Sequence, residues 1–172
     1  YQRGMLGEHT RDKQPAFEDY ESALDLKPNY PEVLLRRAML YCEYKKDYVL
    51  AVGDLNKATE YRPDFPEAYF WKGKSYYLGT DYKAADKELT TFLQTDSESI
   101  EGLVLLGAAR LNSNNFSGAI KDYDKVIELE AKNFIALTNR GLAKGSMKNF
   151  EEAMKDLDTG SFDPVFSERE RD

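Results

Sequence analysis

Apolar residues recur along this chain in a helical rhythm that repeats. Tyr48, Ala51, Leu55 and Ala58 are spaced three, four and three apart, which places them on one face of a helix. The same face returns 34 residues on as Tyr82, Ala85, Leu89 and Phe92, then as Phe116, Ala119, Tyr123 and Val126, and last as Phe150, Ala153 and Leu157. Upstream, Ala16, Tyr20 and Ala23 fit the same phase. A second apolar pair precedes four of these faces: Leu34 with Ala38, Tyr69 with Gly73, Leu103 with Gly107, and Leu137 with Gly141. Each unit therefore predicts two helices, and a fixed period of this length is the mark of a repeat array. The invariant small residues predict points where helices approach too closely for a larger side chain. Glycine inside a helix is about 1 kcal/mol worse than alanine, so three at one phase call for a steric reason.

The joints between units are also written twice. "KPNYPEVL" begins at Lys27 and "RPDFPEAY" at Arg62. Pro28 and Pro63 end one helix, because proline cannot continue it. Asn29 and Asp64 are expected as turn or cap residues. Pro31 and Pro66 suit the first turn of the next helix, followed by acids where the helix dipole favours them. The pattern predicts antiparallel helix pairs, with first helices (A) near 1–9, 31–45, 66–79, 100–113 and 134–147. The second helices (B) are predicted near 14–27, 48–61, 82–95, 116–130 and 149–159. The array is expected over residues 1–160. The remaining segment, 161–172, departs from the pattern and is expected to cap its end.

Charge narrows the function classes. The 172 residues carry 31 acids against 24 lysines and arginines, a net charge of -7. Phosphate binding needs a basic face, so a nucleic-acid partner is not expected. No apolar run approaches the roughly 18 residues of a membrane helix, so no membrane insertion is expected. No signal-like segment is read, and the compartment stays open, with the cytoplasm slightly favoured. Cys42 is the only cysteine and His9 the only histidine, so neither a metal quartet nor a Cys–His pair can be assembled. "GLVLLG" at 102–107 lacks the following Lys-Ser or Lys-Thr of a phosphate loop. The carboxylates read as solvated, and no acid/base pair stands out. Neither catalytic residues, nor a metal, nor a cofactor is expected, and the chain does not read as an enzyme.

The unit of Tyr69, Gly73, Tyr76, Tyr82, Ala85 and Leu89 resembles the tetratricopeptide repeat. The resemblance covers about 1–160 as four full repeats and a first one lacking its start. It departs where Arg110 and Lys144 replace the tyrosine of helix A, where Phe92 and Gly160 replace the last alanine, and where the second repeat is one residue longer. The resemblance implies an all-α fold, about five helix pairs stacked in a right-handed α-solenoid. The pentatricopeptide family, a 35-residue RNA-binding relative, fits less well, since the period here is mostly 34 and the balance acidic.

In that family helix A lines the concave surface. The resemblance therefore implies a groove formed by Leu35, Met39, Phe70, Lys74, Tyr77, Val104, Leu111, Thr138 and Leu142. Phe70 and Tyr77 are its expected anchors. Glu32, Glu67 and Glu101 recur at one phase as a candidate acidic ladder, although acids in a first turn are favoured anyway. Relatives that clamp a chaperone's terminal carboxylate use lysines, asparagines and an arginine. The matching positions here hold Leu35, Met39, Phe70, Lys74, Glu101 and Leu105, and Asn139 alone matches by type, so a carboxylate clamp is not expected. The functional expectation is a scaffold that binds a peptide or helical segment of a partner protein in its groove. The alternative is an assembly module that contacts subunits through its ends or convex face.

Overall fold

The structure is a computed structural model, and it describes Gln2 and residues 13–160. The helix expected over 1–9, His9 and the expected capping segment 161–172 lie outside the described residues, apart from Gln2. Compact contacts divide the chain into two units, Tyr1–Ser97 and Glu98–Asp172, where the sequence reads one array over 1–160.

In the first unit the described helices are α1 (Gln14–Leu26), α2 (Pro31–Leu40), α3 (Tyr48–Tyr61), α4 (Pro66–Leu78) and α5 (Tyr82–Leu93). Neighbours in sequence pack on one another, and α2 also touches α4. The second unit holds α6 (Ile100–Asn112), α7 (Phe116–Leu129), α8 (Phe134–Ser146) and α9 (Phe150–Gly160). There too each helix packs on the next, and α6 touches α8. Each unit is a stack of helix pairs with no strand among its described residues.

The predicted small residues sit where the helices meet. Ala16, Ala51, Ala85 and Ala119 are fully buried, with Leu55, Leu89 and Tyr123 one turn on. Burying each of those larger side chains contributes about 1.5–3 kcal/mol. The glycines of helix A face them directly. A Cβ placed on Gly73 would lie 2.6 Å from the Leu89 side chain, on Gly107 2.8 Å from the Tyr123 ring, and on Gly141 2.9 Å from Leu157. Each glycine makes room for the large residue of its own helix B.

Pro31 and Pro66 do open α2 and α4. The residues before Pro28 and Pro63, Lys27 and Arg62, are extended, as the proline ring demands. Asn29 and Asp64 lie in the connections but do not cap. The cap positions are Tyr30 and Phe65, which make no side-chain cap bond. In the second unit, without those prolines, Ser99 and Asn133 accept cap bonds from Gly102 and Ala136. The B helices α3, α5 and α7 are capped by Asp47, Asp81 and Asn115.

The extra residue of the second repeat has a definite place. In three repeats a backbone N–H donates five residues back to close helix A: Asp81 to Tyr76, Asn115 to Arg110 and Asn149 to Lys144. In the second repeat Asp47 donates six residues back, to Tyr41. Residues Tyr41–Lys45 take the insertion as a π-helical turn, so the later register is undisturbed.

Candidate binding surface

The expected groove residues divide by burial. In the first unit Met39, Lys74 and Tyr77 are half-buried, with one side facing solvent. The Tyr77 ring packs 5.7 Å from Tyr82, and the Lys74 ammonium lies 4.3 Å over the Trp71 ring. Two expected floor residues are not open. Leu35 is 2% exposed and Phe70 8%. Phe70 lies 5.2 Å from Phe92 and edge-on to Trp71 at 6.0 Å. Phe92 stands where the repeat usually has alanine, and its larger ring reaches Phe70. Leu35 belongs to α2, which packs on α1, α3 and α4, so Val33, Leu34 and Leu35 are buried in succession. Phe70 is a core residue rather than a groove anchor.

In the second unit Val104, Leu111 and Thr138 are half-buried and Leu142 is exposed. Of the acids expected as a ladder, Glu32 is held by Arg62, whose guanidinium donates to it and stacks on Phe65 at 3.4 Å. Glu67 and Glu101 are exposed, and Glu101 is itself engaged by a further interaction.

The acids that matter most to the structure were read from the sequence as solvated, and they are not. Asp54, Glu88, Asp122 and Asp156 are spaced by 34 residues, each just before the large apolar residue of its B helix. All four are buried, between 4% and 7% exposed. Each meets a cation from its own helix A. Arg37 donates to both oxygens of Asp54 at 2.7 and 2.8 Å, and Lys72 lies 3.3 Å from Glu88. Arg110 donates to Asp122 at 2.7 and 2.9 Å. Arg140 donates to both oxygens of Asp156 at 2.9 and 2.6 Å, and to Asp124 at 2.7 Å. Lys144 adds a contact of 2.9 Å to Asp156.

The cation moves along helix A without losing its acid. In the first, second and fourth complete pairs it stands at Arg37, Lys72 and Arg140, three residues after the large apolar position. In the third, Leu106 fills that place and Arg110, one turn on, reaches Asp122 instead. The loss of the tyrosine at Arg110 thus has a cause in the pairing. Burial pushes the Asp156 carboxyl up, but the hydrogen bonds and charges of Arg140 and Lys144 outweigh it and hold the group below its usual range. The signal was available: the acid phase is as regular as the alanine phase.

Cys42 is fully buried, and burial pushes its thiol up despite a hydrogen bond with Ser75. Trp71 is buried, as a packing residue. Among the described residues no group of His, Cys, Asp and Glu could hold a metal, and no helix is long and apolar enough to cross a membrane. A cleft of about 290 Å³ opens in the first unit between Tyr48, Val49, Val52 and Tyr76, away from the expected groove positions.

Residues 67–99 and 100–133 each match a family model described as tetratricopeptide repeat. Residues 67–133 carry two tetratricopeptide repeats. Outside residues 67–133 the repeats continue in the same phase, through the glycine–leucine contact at Gly141 and the acid at Asp156. No curated protein matches the chain by sequence. Solved structures do match its fold. The crystal structure of MamA shares 22% identity, with 91% of each chain covered and a TM-score of 0.86. MamA from Desulfovibrio magneticus RS-1 shares 18%, covering 100% of this chain and 98% of its own at 0.84. YrrB, described as a tetratricopeptide repeat protein with an unusual peptide-binding site, shares 19%, covering 91% of this chain and 80% of its own at 0.85.

Proposed function

We propose that the chain is a non-catalytic interaction module that holds a peptide or helical segment of a partner protein. The observation that carries this reading is the half-exposed stripe of Met39, Lys74 and Tyr77 on the A helices of the first unit, where an aromatic ring and an aliphatic stem face solvent beside a lysine. Such a surface offers apolar contact with a single polar handle, the composition of a recognition site. The likeness to YrrB, which is described as having a peptide-binding site, supports it. Val104, Leu111, Thr138 and Leu142 are proposed to serve the same purpose in the second unit. Tyr77 replaces Phe70 as the central anchor. The acidic balance favours a neutral or basic partner segment over nucleic acid, and none of the positions expected for a carboxylate clamp carries its basic set.

A photo-crosslinking residue at Tyr77 in the full chain, used in extracts of the native source, tests this. Capture of one partner at Tyr77, and weakening of that complex by about 1 kcal/mol or more in Tyr77→Ala, is expected. A second reading rests on a separate observation: Phe150 and Met154 of α9 are 65% and 59% exposed. If the partner crosslinks through Phe150 and ignores Tyr77, the chain is an assembly module that uses its end.

A further inference from the structure

The cleft between α3 and α4 is chemically unlike the same place in the other repeats. Tyr48, Val49 and Val52 line it from α3, Tyr76 and Gly79 from the end of α4, and Asp81 from the turn that follows. At the phase of Val49 the later B helices carry Lys83, Ser117 and Glu151, and at the phase of Val52 α5 carries Asp86. At the phase of Gly79 stand Ser113 and Met147. Only here do two valines meet a residue without a side chain. A Cβ on Gly79 would already lie 3.6 Å from the Tyr48 Cβ, so a longer side chain there would grow into the cleft.

The lining holds one charged residue. Asp81 is exposed and caps α5 through Oδ1, which accepts from the Ala84 N–H at 3.0 Å. Its Oδ2 is left to other donors. At the phase of Tyr76 the later A helices carry Arg110 and Lys144, so here the lining holds no cation. Burial, and then the carboxylates of Glu88 and Asp81, push the Tyr76 hydroxyl up, which marks the surroundings as negative. Glu88 has its cation in Lys72, whereas no ion pair to Asp81 is found among the described residues. Aliphatic and phenol walls beside a carboxylate suit an arginine, whose stem is apolar and whose planar guanidinium stacks on aromatic rings. The volume, about 290 Å³, lies at the bottom of the roughly 300–1,000 Å³ of small-molecule sites, which is room for one side chain rather than a cofactor. Val49 is 82% exposed and Leu50, the next residue, 49%. A free small cation would leave that apolar rim in water; a chain segment covers it.

From this we infer that the cleft receives an arginine side chain from a segment of a partner protein. The arginine stem lies between Val49, Val52 and the Tyr48 and Tyr76 rings, and its guanidinium donates to Asp81 Oδ2. Apolar residues flanking that arginine rest on Val49 and Leu50. This is a second contact surface, on the seam of α3 and α4, and it does not depend on the Met39, Lys74 and Tyr77 stripe proposed above.

Methyl NMR on the full chain, labelled at Val, Leu and Met, tests it with the peptide Ac-Ala-Leu-Arg-Leu-Ala-amide and its analogue with norleucine in place of arginine. The Val49 and Val52 methyls are expected to shift saturably with the arginine peptide and to bind the norleucine analogue at least about twofold more weakly. Asp81→Asn keeps the helix cap, since asparagine caps as well as aspartate, and removes only the charge. It should weaken the arginine peptide about two- to fivefold, the range of an exposed ion pair, and leave the norleucine analogue unchanged. Unmoved Leu55 and Leu89 methyls in that variant show that the core is intact. Equal affinity for the two peptides, or an Asp81→Asn variant that binds the arginine peptide as the parent does, would overturn the inference. So would a peptide that shifts the Met39 methyl and leaves Val49 and Val52 in place; that result would put the segment on the helix A stripe and leave the interaction-module reading standing.

Discussion

Lys46, Thr80, Asn114 and Lys148 stand 34 residues apart, and all four adopt the left-handed backbone conformation at φ of 56–66°. Each closes helix A and turns the chain into helix B. Only asparagine among them is suited to that region; a β-branched residue is the worst choice, because its Cβ substituents crowd the backbone. Thr80 is therefore held in an unfavourable conformation by the helices on either side. Thr80→Gly is expected to stabilise the protein by about 1 kcal/mol, read as a higher urea midpoint with an unchanged slope. The Asn114→Gly control should change little. In the sequence, "GTD" and "NSNN" mark two of these stretches as turns, because glycine, asparagine, aspartate and serine favour them. They do not show which residue takes the left-handed conformation, since Lys46 and Lys148 carry no such preference.

At the scale of the helix pair, two devices set the distance between A and B. One is steric, the glycine of helix A against Leu89, Tyr123 or Leu157. The other is ionic, the buried acid of helix B against an arginine or lysine of helix A. The steric device was legible, because a helix pays for glycine at a fixed phase only where a neighbour comes too close for a larger side chain. The ionic one is harder to read from sequence, because acids abound on helices and their burial does not show in a period. Yet its phase is as strict, and the substitution of Leu106 with compensation at Arg110 shows that the pair is kept as a unit. Breaking a buried ion pair leaves a desolvated charge, which costs about 3 kcal/mol. Asp156→Asn should destabilise by about that amount near neutral pH. The depressed Asp156 carboxyl contributes stability that is complete above the unfolded value of about 4 and is lost as pH falls through the lower folded value. The gap between Asp156→Asn and the parent should therefore be full at pH 7 and close progressively below about pH 4. Urea melts at a series of pH values check this; a gap independent of pH would mean that the carboxylate's charge plays no part.

At the scale of the whole molecule, the repeat phase made the fold readable but left the binding surface half-readable. A phase tells which residues share a face, not what covers that face. Leu35 and Phe70 share the stripe of Met39, Lys74 and Tyr77, yet they are buried by packing that depends on neighbours such as Phe92. Charge, by contrast, is a property of the whole chain and carries straight through to behaviour. The net charge is -7, and Arg37, Lys72, Arg110, Arg140 and Lys144 are committed to acids of the B helices rather than left to form a basic face. Affinity for a nucleic-acid backbone comes largely from cations that displace condensed counterions, and each phosphate contact needs one such group. A committed arginine supplies none unless it abandons a buried carboxylate, at a cost of about 3 kcal/mol. The full chain is thus expected to leave duplex DNA and single-stranded RNA unshifted in mobility assays at physiological salt and micromolar protein. Lowering the salt should not rescue binding, because repulsion between an acidic protein and a polyanion grows as screening falls. A tight complex that weakens steeply with added salt would show instead that the exposed lysines gather into a basic surface.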